Sequence, residues 1–538
     1  MKNRSNDYWN KRANERMASY HKNSDEIIRK ITNAYDKAIK DINEDINNIF
    51  YNFIKSNELS DKEARKLLNS KIPNPIIKLM KKISSYIKND DIKKILLSRV
   101  NAKSYKARIT RLEALKESIY INTKLVADIE INESTKLYTN NIKKAYYTNI
   151  FDIQKGLGIG FNVAEMPLGT IQEILKNKWS GEHYSKRIWH NTDVLAEKLE
   201  EVVTNGLMTG KSSRKMAMEL EGLTDYGKFA AERIIRTETT YISNAAEIES
   251  YKECGIDKYV FIATLDLRTS NVCREHDKKI FNVKDAEAGV NIPPLHPYCR
   301  STTRAYFDNM ESLQRRARDP GTGKTYLVPG DMNYKEWYDK FVVNKYGKDK
   351  AEVFEKMIKN KSSDRKQLEK YKEVLGKESP KTLKDFQELK YNNIDEWRLT
   401  KYNYKLRKEV LSNPNCILNN TDKFSVDERK YTSYLFGGTN EIGLAKGNAL
   451  NSRLGYNIDN YKEFDILIKN NISKYPSILK GDTPHGTRYE VNMVVKGLKG
   501  KQAKLRVGVM YKNDNPDIPQ LTTTFIDKLK ESDLNDED

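Results

Sequence analysis

Two close pairs of metal-type ligands stand near the middle of the chain, Cys273-x-x-His276 and His296-x-x-Cys299, with nineteen residues between them. Zinc takes Cys and His ligands on a tetrahedron, and two intervening residues let one tight turn present both side chains to a single ion. Pro293, Pro294 and Pro297 fix φ and exclude helix around His296. The spacing predicts that Cys273, His276, His296 and Cys299 hold one structural zinc. Asp266 or Asp277 is near enough in sequence to replace one ligand. The other reading makes the histidines turn residues and the cysteines small apolar core groups.

A second set lies in the last hundred residues. An unperturbed imidazole titrates near neutrality, which makes His485 a candidate acid or base in metal-free attack by a ribose 2′-hydroxyl. Lys446, Arg488 and Arg506 offer cations for the phosphorane charge, and Thr522 a hydrogen bond. A binding or plug domain in which His485 only orders its turn uses the same residues without chemistry. Gly323-Lys324-Thr325 looks like the end of a phosphate-binding loop, but Arg318 stands where its first glycine belongs and no apolar strand precedes it.

The elements that must position these groups follow from periodicity. Residues 258–263 and 279–283 read as short strands around the Cys/His pairs. A helix over 193–205 and another over 226–254 precede them; the second carries Arg236 and Glu238, which cannot face each other. Each is expected to reach the Asp266–Arg268 turn or Arg300. Trp9, Ala13 and Met17, then Ile27, Ile31, Tyr35, Ile39, Ile42 and Ile46, make an apolar stripe at three and four. A helix this long needs a partner surface. Near the C-terminus, helices around 441–456 and 461–473 precede alternating runs at 489–495 and 504–509 and a third strand at 521–526, an antiparallel meander.

The 538 residues exceed one ordinary core, and 38% hydrophobic against 32% charged content indicates exposed helices. Net charge is +20, and residues 1–150 hold 31 Lys+Arg against 18 Asp+Glu. Such a segment is attracted to phosphate backbones without reading sequence, although solvated charge from a Lys-rich composition gives the same count. Four scattered cysteines suit a reducing compartment. No signal peptide and no membrane-spanning run are expected. The expected fold class is multidomain: a basic helical arm over 1–155, a small zinc-bound α+β domain within a mainly α region over 156–345, a charged linker over 346–395, and a separate α+β domain over 396–538.

The run Asp266-Leu-Arg268 followed by Cys273, His276 and Pro293-Pro294-Leu-His296-Pro297-Tyr-Cys299-Arg300 resembles the signature of the tailed-phage head-morphogenesis (Mu F-like minor head protein) family, over about 8–343. Arg236-Thr-Glu238 and Met332, Tyr334 and Trp337 match further family positions, which makes Arg236, Glu238, Asp266, Arg268 and Arg300 structural-motif residues. Relatives often carry Cys where this chain has His276 or Ser301. The resemblance implies a minor capsid protein acting in procapsid assembly, with the portal and other phage head proteins as partners and phage DNA at the basic segment. It implies the head interior of a virion, after assembly in the bacterial host cytoplasm. The C-terminal part resembles an uncharacterised domain of phage head proteins and polymorphic toxins, through Gly443/Lys446, Leu454-Gly-Tyr456, His485-Gly-Thr-Arg-Tyr489 and Leu521-Thr-Thr523. That adds a possible ribonuclease with RNA as its partner. The alternatives are a zinc-dependent nucleic-acid enzyme and a purely structural head protein with a C-terminal binding module.

Overall fold

A computed structural model describes residues 6–54, 69–73, 86–104, 108–158, 164–209, 213–307 and 314–534, with single positions 66, 160 and 211 between them. It divides into two units, Met1–Gly347 and Lys348–Asp538.

Unit 1 is built on long helices: α1 (Asn6–Ile54), α2 (Asp90–Ser104), α3 (Arg111–Leu157), α4 (Leu168–Lys176), α5 (Tyr184–Met208) and α6 (Ser213–Glu253). The short strands β1 (Lys71–Pro73) and β2 (Arg108–Thr110) pair antiparallel before α3. Thr110 and Glu113 form a capping box that starts α3, and Gly158 in the left-handed region ends it. The α1 stripe is covered from within the chain. Tyr20, Ile31, Tyr35, Ile42 and Ile46 share one core with Ile119, Tyr138 and Ile142 of α3 and Leu220, Ile235 and Ile242 of α6. The basic helices expected over 1–155 pack on the chain's own following helices, in one bundle with α5 and α6. A buried charge cluster locks it: Arg16 donates to Asp152 at 2.6 Å and to Glu247 at 2.9 Å, one residue from each of α1, α3 and α6. Residues 213–253 form one helix, longer than the expected span from 226.

Beyond α6 comes a three-stranded antiparallel sheet of order β4-β3-β5, from β3 (Lys258–Ile262), β4 (Ile280–Asn282) and β5 (Thr302–Ala305), with α7 (Asn271–His276) between β3 and β4. Trp9 of α1 packs on Phe307 with ring centroids 5.1 Å apart and joins a core with Tyr259 and Ile248. The hairpin β6 (Arg315–Arg318) and β7 (Thr325–Val328) follows, then α8 (Tyr334–Trp337). The Gly-Lys-Thr segment is the turn of that hairpin. Its first residue, Asp319, accepts bonds from Gly321 N and Thr322 N, a local turn with no phosphate cradle.

In unit 2, α9 (Lys348–Lys359), α10 (Lys361–Leu375) and α11 (Leu383–Asn392) occupy the expected linker, and α12 (Ile394–Ser412) follows. Leu368, Tyr371 and Leu375, spaced three and four, make a core with Phe386 and Trp397. Buried Asp364 holds Gln387 and Lys390, each at 2.8 Å. After α13 (Glu441–Leu454) and α14 (Tyr461–Asn471) comes the meander: β8 (Ser477–Thr483), β9 (Gly486–Lys496), β10 (Gln502–Lys512) and β11 (Asn515–Asp527), in the order β11-β10-β9-β8. β8 is a strand beyond the three expected. Gly443 and Gly447 let α13 lie against the preceding turn; a Cβ on Gly447 would sit 1.8 Å from Leu435 O.

Candidate metal centre

α6 delivers the chain into β3, and a turn after β3 is fixed before any ligand appears. Asp266 Oδ1 accepts from Arg268 N at 2.9 Å, and Arg300 closes on both Asp266 oxygens at 2.7 Å each. Burial pushes the Asp266 carboxyl up, but the Arg300 hydrogen bonds and charge outweigh it and hold the group below the usual carboxylate range. Ser270 then caps α7 by accepting from Cys273 N, so Cys273 stands in the first turn of that helix. A second fork lies beyond α7. Asp277 takes Arg315 at 2.8 and 3.1 Å and also Ala263 N at 2.8 Å. The segment bearing His296 and Cys299 is stitched to α6: Thr240 Oγ1 donates to Cys299 O at 2.8 Å, and Tyr298 N donates to Thr237 Oγ1 at 3.1 Å.

These constraints bring Cys273, His296 and Cys299 together, with their ligand atoms all within 4.8 Å of one another. The two sulfurs are 3.5 Å apart, and both cysteines are fully buried while His296 is half-buried. A tetrahedral zinc with metal–ligand distances of about 2.0–2.3 Å spaces its ligands by roughly 3.5–3.8 Å, so the donor set fits. His296 Nδ1 donates to Pro297 O at 2.7 Å, which leaves Nε2 with the lone pair a metal needs. The Cys299 thiol is drawn well below its ordinary value, first by its hydrogen bond with Cys273 and then by His296. Cys273 is pushed up, first by the same contact and then by burial.

His276, the expected fourth ligand, is outside the group. Its Nδ1 donates to Val272 O at 2.8 Å, and its ring lies 5.5 Å from Phe261 and 6.1 Å from Phe281. The Ser301 hydroxyl instead hydrogen-bonds Cys273, at a position where the resemblance marks a frequent cysteine. Asp266 and Asp277 are both held by arginines, so neither replaces a ligand. Arg236 and Glu238 do not reach this turn. Arg236 donates to His21 O at 3.0 Å and pairs with Asp25 of α1. Glu238 binds Arg187 of α5 and the Trp179 indole. Arg268 lies 3.6 Å from Asp266 and is largely exposed. The residues that sequence reasoning missed are Arg315, Thr237 and Thr240; they lie 38, 61 and 59 positions from their partners.

Of the five proposed ribonuclease residues, Lys446 and Arg506 stand over the same Phe525 ring at 5.1 and 5.7 Å, while His485 and Arg488 lie further along the sheet. His485 is exposed in the β8–β9 turn, where its carbonyl accepts from Asn513 N. Arg506 pairs with Asn492, six positions further along β9 than Gly486, about 20 Å away at strand rise. Arg506 is taken by Asp527 at 2.6 Å, and Lys504 beside it by Asp533 at 2.8 Å. Lys446 donates to Thr523 at 3.1 Å, Thr522 sits in a bulge of β11, and Arg488 is exposed opposite Met510. Lys504 and Arg506 are thus neutralised by the chain's own carboxylates, whereas Lys446 is held by hydroxyls and Arg488 is exposed. The tail beyond residue 534 lies outside the described residues.

Residues 197–304 match the family described as Phage Mu protein F like protein, a span running from α5 into β5 and enclosing the whole metal group. Residues 417–528 match a domain of unknown function (DUF6883), which covers α13, α14 and the meander. The chain is 23% identical over 410 residues to an NAD(+)--arginine ADP-ribosyltransferase EFV of Enterococcus faecalis, covering 69% of this chain and 82% of that protein. It is 24% identical over 121 residues to an uncharacterized protein of Haemophilus influenzae, 22% of this chain and 27% of that one. No solved structure matches.

Proposed function

We propose that this chain is a minor head protein of a tailed phage or prophage, acting in procapsid assembly, with unit 2 as an appended binding module. The observation that carries this reading is the continuous match over 197–304. It encloses Cys273, His296 and Cys299 together with the Asp266–Arg300 fork, so the matched segment is a self-braced unit. Zinc is the metal best suited to this Cys-His-Cys donor set, and it would supply structural closure of the loop between Cys273 and Cys299. Cys273, Cys299 and His296 would hold it, with Ser301 beside them. The portal and other head proteins are the proposed partners, and the virion the proposed location. No helix among the described residues is long and apolar enough to cross a membrane.

Packaged DNA is a further proposed partner. Lys11, Lys22, Arg29 and Lys40 are exposed on α1, and their spacing of eleven, seven and eleven keeps them on one stripe. Asp25 and Asp36 near that stripe are engaged by Arg236 and Lys228 of α6. Such a row binds phosphates without base reading. A ribonuclease reading of unit 2 is less well supported, because His485 lies far along the sheet from Arg506 and Arg506 is already paired with Asp527. The test is co-purification of procapsids from cells expressing portal and coat proteins with this chain. The wild type is expected in the particles and a Cys273→Ser, Cys299→Ser variant to be depleted. Particles of normal yield that exclude the wild-type chain would end the proposal.

A further inference from the structure

Unit 2 contains a cavity of about 930 Å³ between the α10–α11 connection, α12, α14 and the β9–β10 turn. That is at the upper end of the range for small-molecule sites, roughly 300–1,000 Å³. It is separate from the sheet residues considered above and from the metal group. Its lining combines two kinds of chemistry. Fixed polar groups line one part. Asn403 is buried and its Oδ1 accepts the Tyr475 hydroxyl at 2.8 Å, while Glu396 accepts Arg453 at 2.8 Å and Gln502 N at 3.2 Å. Thr400, also buried, accepts from Gln502 Nε2 at 3.1 Å. These groups are held in place by their neighbours, so they present hydrogen-bonding edges at little further ordering cost.

Lysines line much of the rest, beside the carboxylates of Glu378, Asp385 and Asp395; Glu378 pairs with Arg407 at 3.3 Å and Asp385 caps α11. Lys377 and Lys381 come from the α10–α11 connection, Lys496 from the end of β9 and Lys501 from the turn that follows it. All four are exposed, and none has an ion-pair partner among the described residues. Lys504 and Arg506 of the same unit, by contrast, are neutralised by Asp527, Asp533 and Glu490. Lysine ammonium groups serve as point-charge partners for phosphate. A ligand that answers both parts has a hydroxyl-rich body and a phosphate tail. We propose that this cleft binds a ribonucleotide, with the sugar against the Asn403, Thr400 and Glu396 groups and the phosphates between the two lysine pairs. The helices that form one side of the cleft lie before residue 417, outside the matched domain. The site therefore depends on the α10–α12 extension as well as on the meander.

The experiment is calorimetric titration of the full chain with ATP, GTP and UTP, and separately with adenosine, inorganic triphosphate and a short single-stranded RNA. At least one nucleoside triphosphate is expected to bind with Kd below about 1 mM. Adenosine and inorganic triphosphate should each bind about tenfold more weakly or worse. Lys381→Glu with Lys501→Glu should weaken nucleotide binding by about tenfold or more with an unchanged circular dichroism spectrum. Lys512→Glu should leave binding unchanged, since Lys512 lies ten residues along β10 from Gln502, about 33 Å away. Absence of saturable binding by all three nucleotides would overturn the proposal. So would equal affinity in the double variant, inorganic triphosphate binding as tightly as the nucleotides, or lysine-dependent binding of RNA alone.

Discussion

Replacing Glu130 by Gln should flatten the pH dependence of unit 1. Glu130 lies in the middle of α3, 1% exposed, and its carboxylate oxygen accepts the Tyr35 hydroxyl of α1 at 3.1 Å. Burial pushes its pKa up from 4.5 to about 8, against the smaller opposing effect of the Tyr35 hydrogen bond. Below pH 4.5 both folded and unfolded chains hold the proton, and the group has no pH effect. Between 4.5 and about 8 the unfolded chain ionises while the folded one stays protonated, so stability is lost as pH rises. Above about 8 both are ionised and the loss levels off. The slope approaches about 1.4 kcal/mol per pH unit, or roughly 2–3 kcal/mol between pH 5 and 7. Gln has the same shape, can still accept from Tyr35, and cannot ionise. Every other titrating group is common to both proteins, so the difference between their curves isolates Glu130. The assay is urea unfolding of the full chain from pH 5 to 8, read by hydrogen exchange in α3 peptides to separate unit 1 from unit 2. Wild-type and variant curves that run parallel within about 0.5 kcal/mol across this range would refute the reasoning.

Native mass spectrometry of the full chain should find one bound zinc, lost in Cys299→Ser and retained in His276→Ala, because His276 is outside the ligand group. Asp152→Asn should destabilise unit 1 by about 3–5 kcal/mol, since it leaves buried Arg16 short of a partner. Asp25→Asn, which removes a half-exposed partner of Arg236, should cost less than about 1 kcal/mol in the same urea unfolding. Gly447→Ala should lower the urea stability of unit 2 by about 1–3 kcal/mol, because the added methyl meets the Leu435 backbone oxygen. An unchanged midpoint would mean that α13 shifts freely.

What the sequence made legible were features with a local period. The α1 stripe, the strands at 258–262 and 280–282, and the alternation of β9 and β10 all follow from residues a few positions apart. The same holds for the nearness of Cys273, His296 and Cys299, where turn residues fix the approach. His276 shows the limit of spacing. C-x-x-H allows it to join, but its ring lies near two phenylalanines and its Nδ1 is held by Val272 O. Arg236 and Glu238 show another limit. A helix phase says that they point apart, and only the packed positions of α1 and α5 say toward what. The Lys- and Glu-rich stretch at 346–395 hid Leu368, Tyr371 and Leu375, because composition weighs every position alike while burial selects three of them. β8 was missed since most of its side chains are exposed or half-buried and Gly481 interrupts it with a register shift.

The metal group bears on whether the middle of this chain is a catalyst or a clasp. A hydrolytic metal site needs an open position, a reachable substrate and a base near the bound water. Three clustered ligands satisfy only the first of these. Both sulfurs are buried, which denies a substrate direct approach. Asp266 and Asp277, the carboxylates of the turns that flank Cys273, are each gripped by an arginine in two hydrogen bonds, which occupies them. The bonds from Thr240 to the Cys299 carbonyl and from the Tyr298 amide to Thr237 then tie the same loop to α6. That helix also carries Glu247 of the buried charge cluster, and so connects to α1 and α3. Asp266, Asp277, Thr237 and Thr240 are therefore engaged in holding neighbouring segments in place. An arrangement of this kind is suited to stabilising a shape.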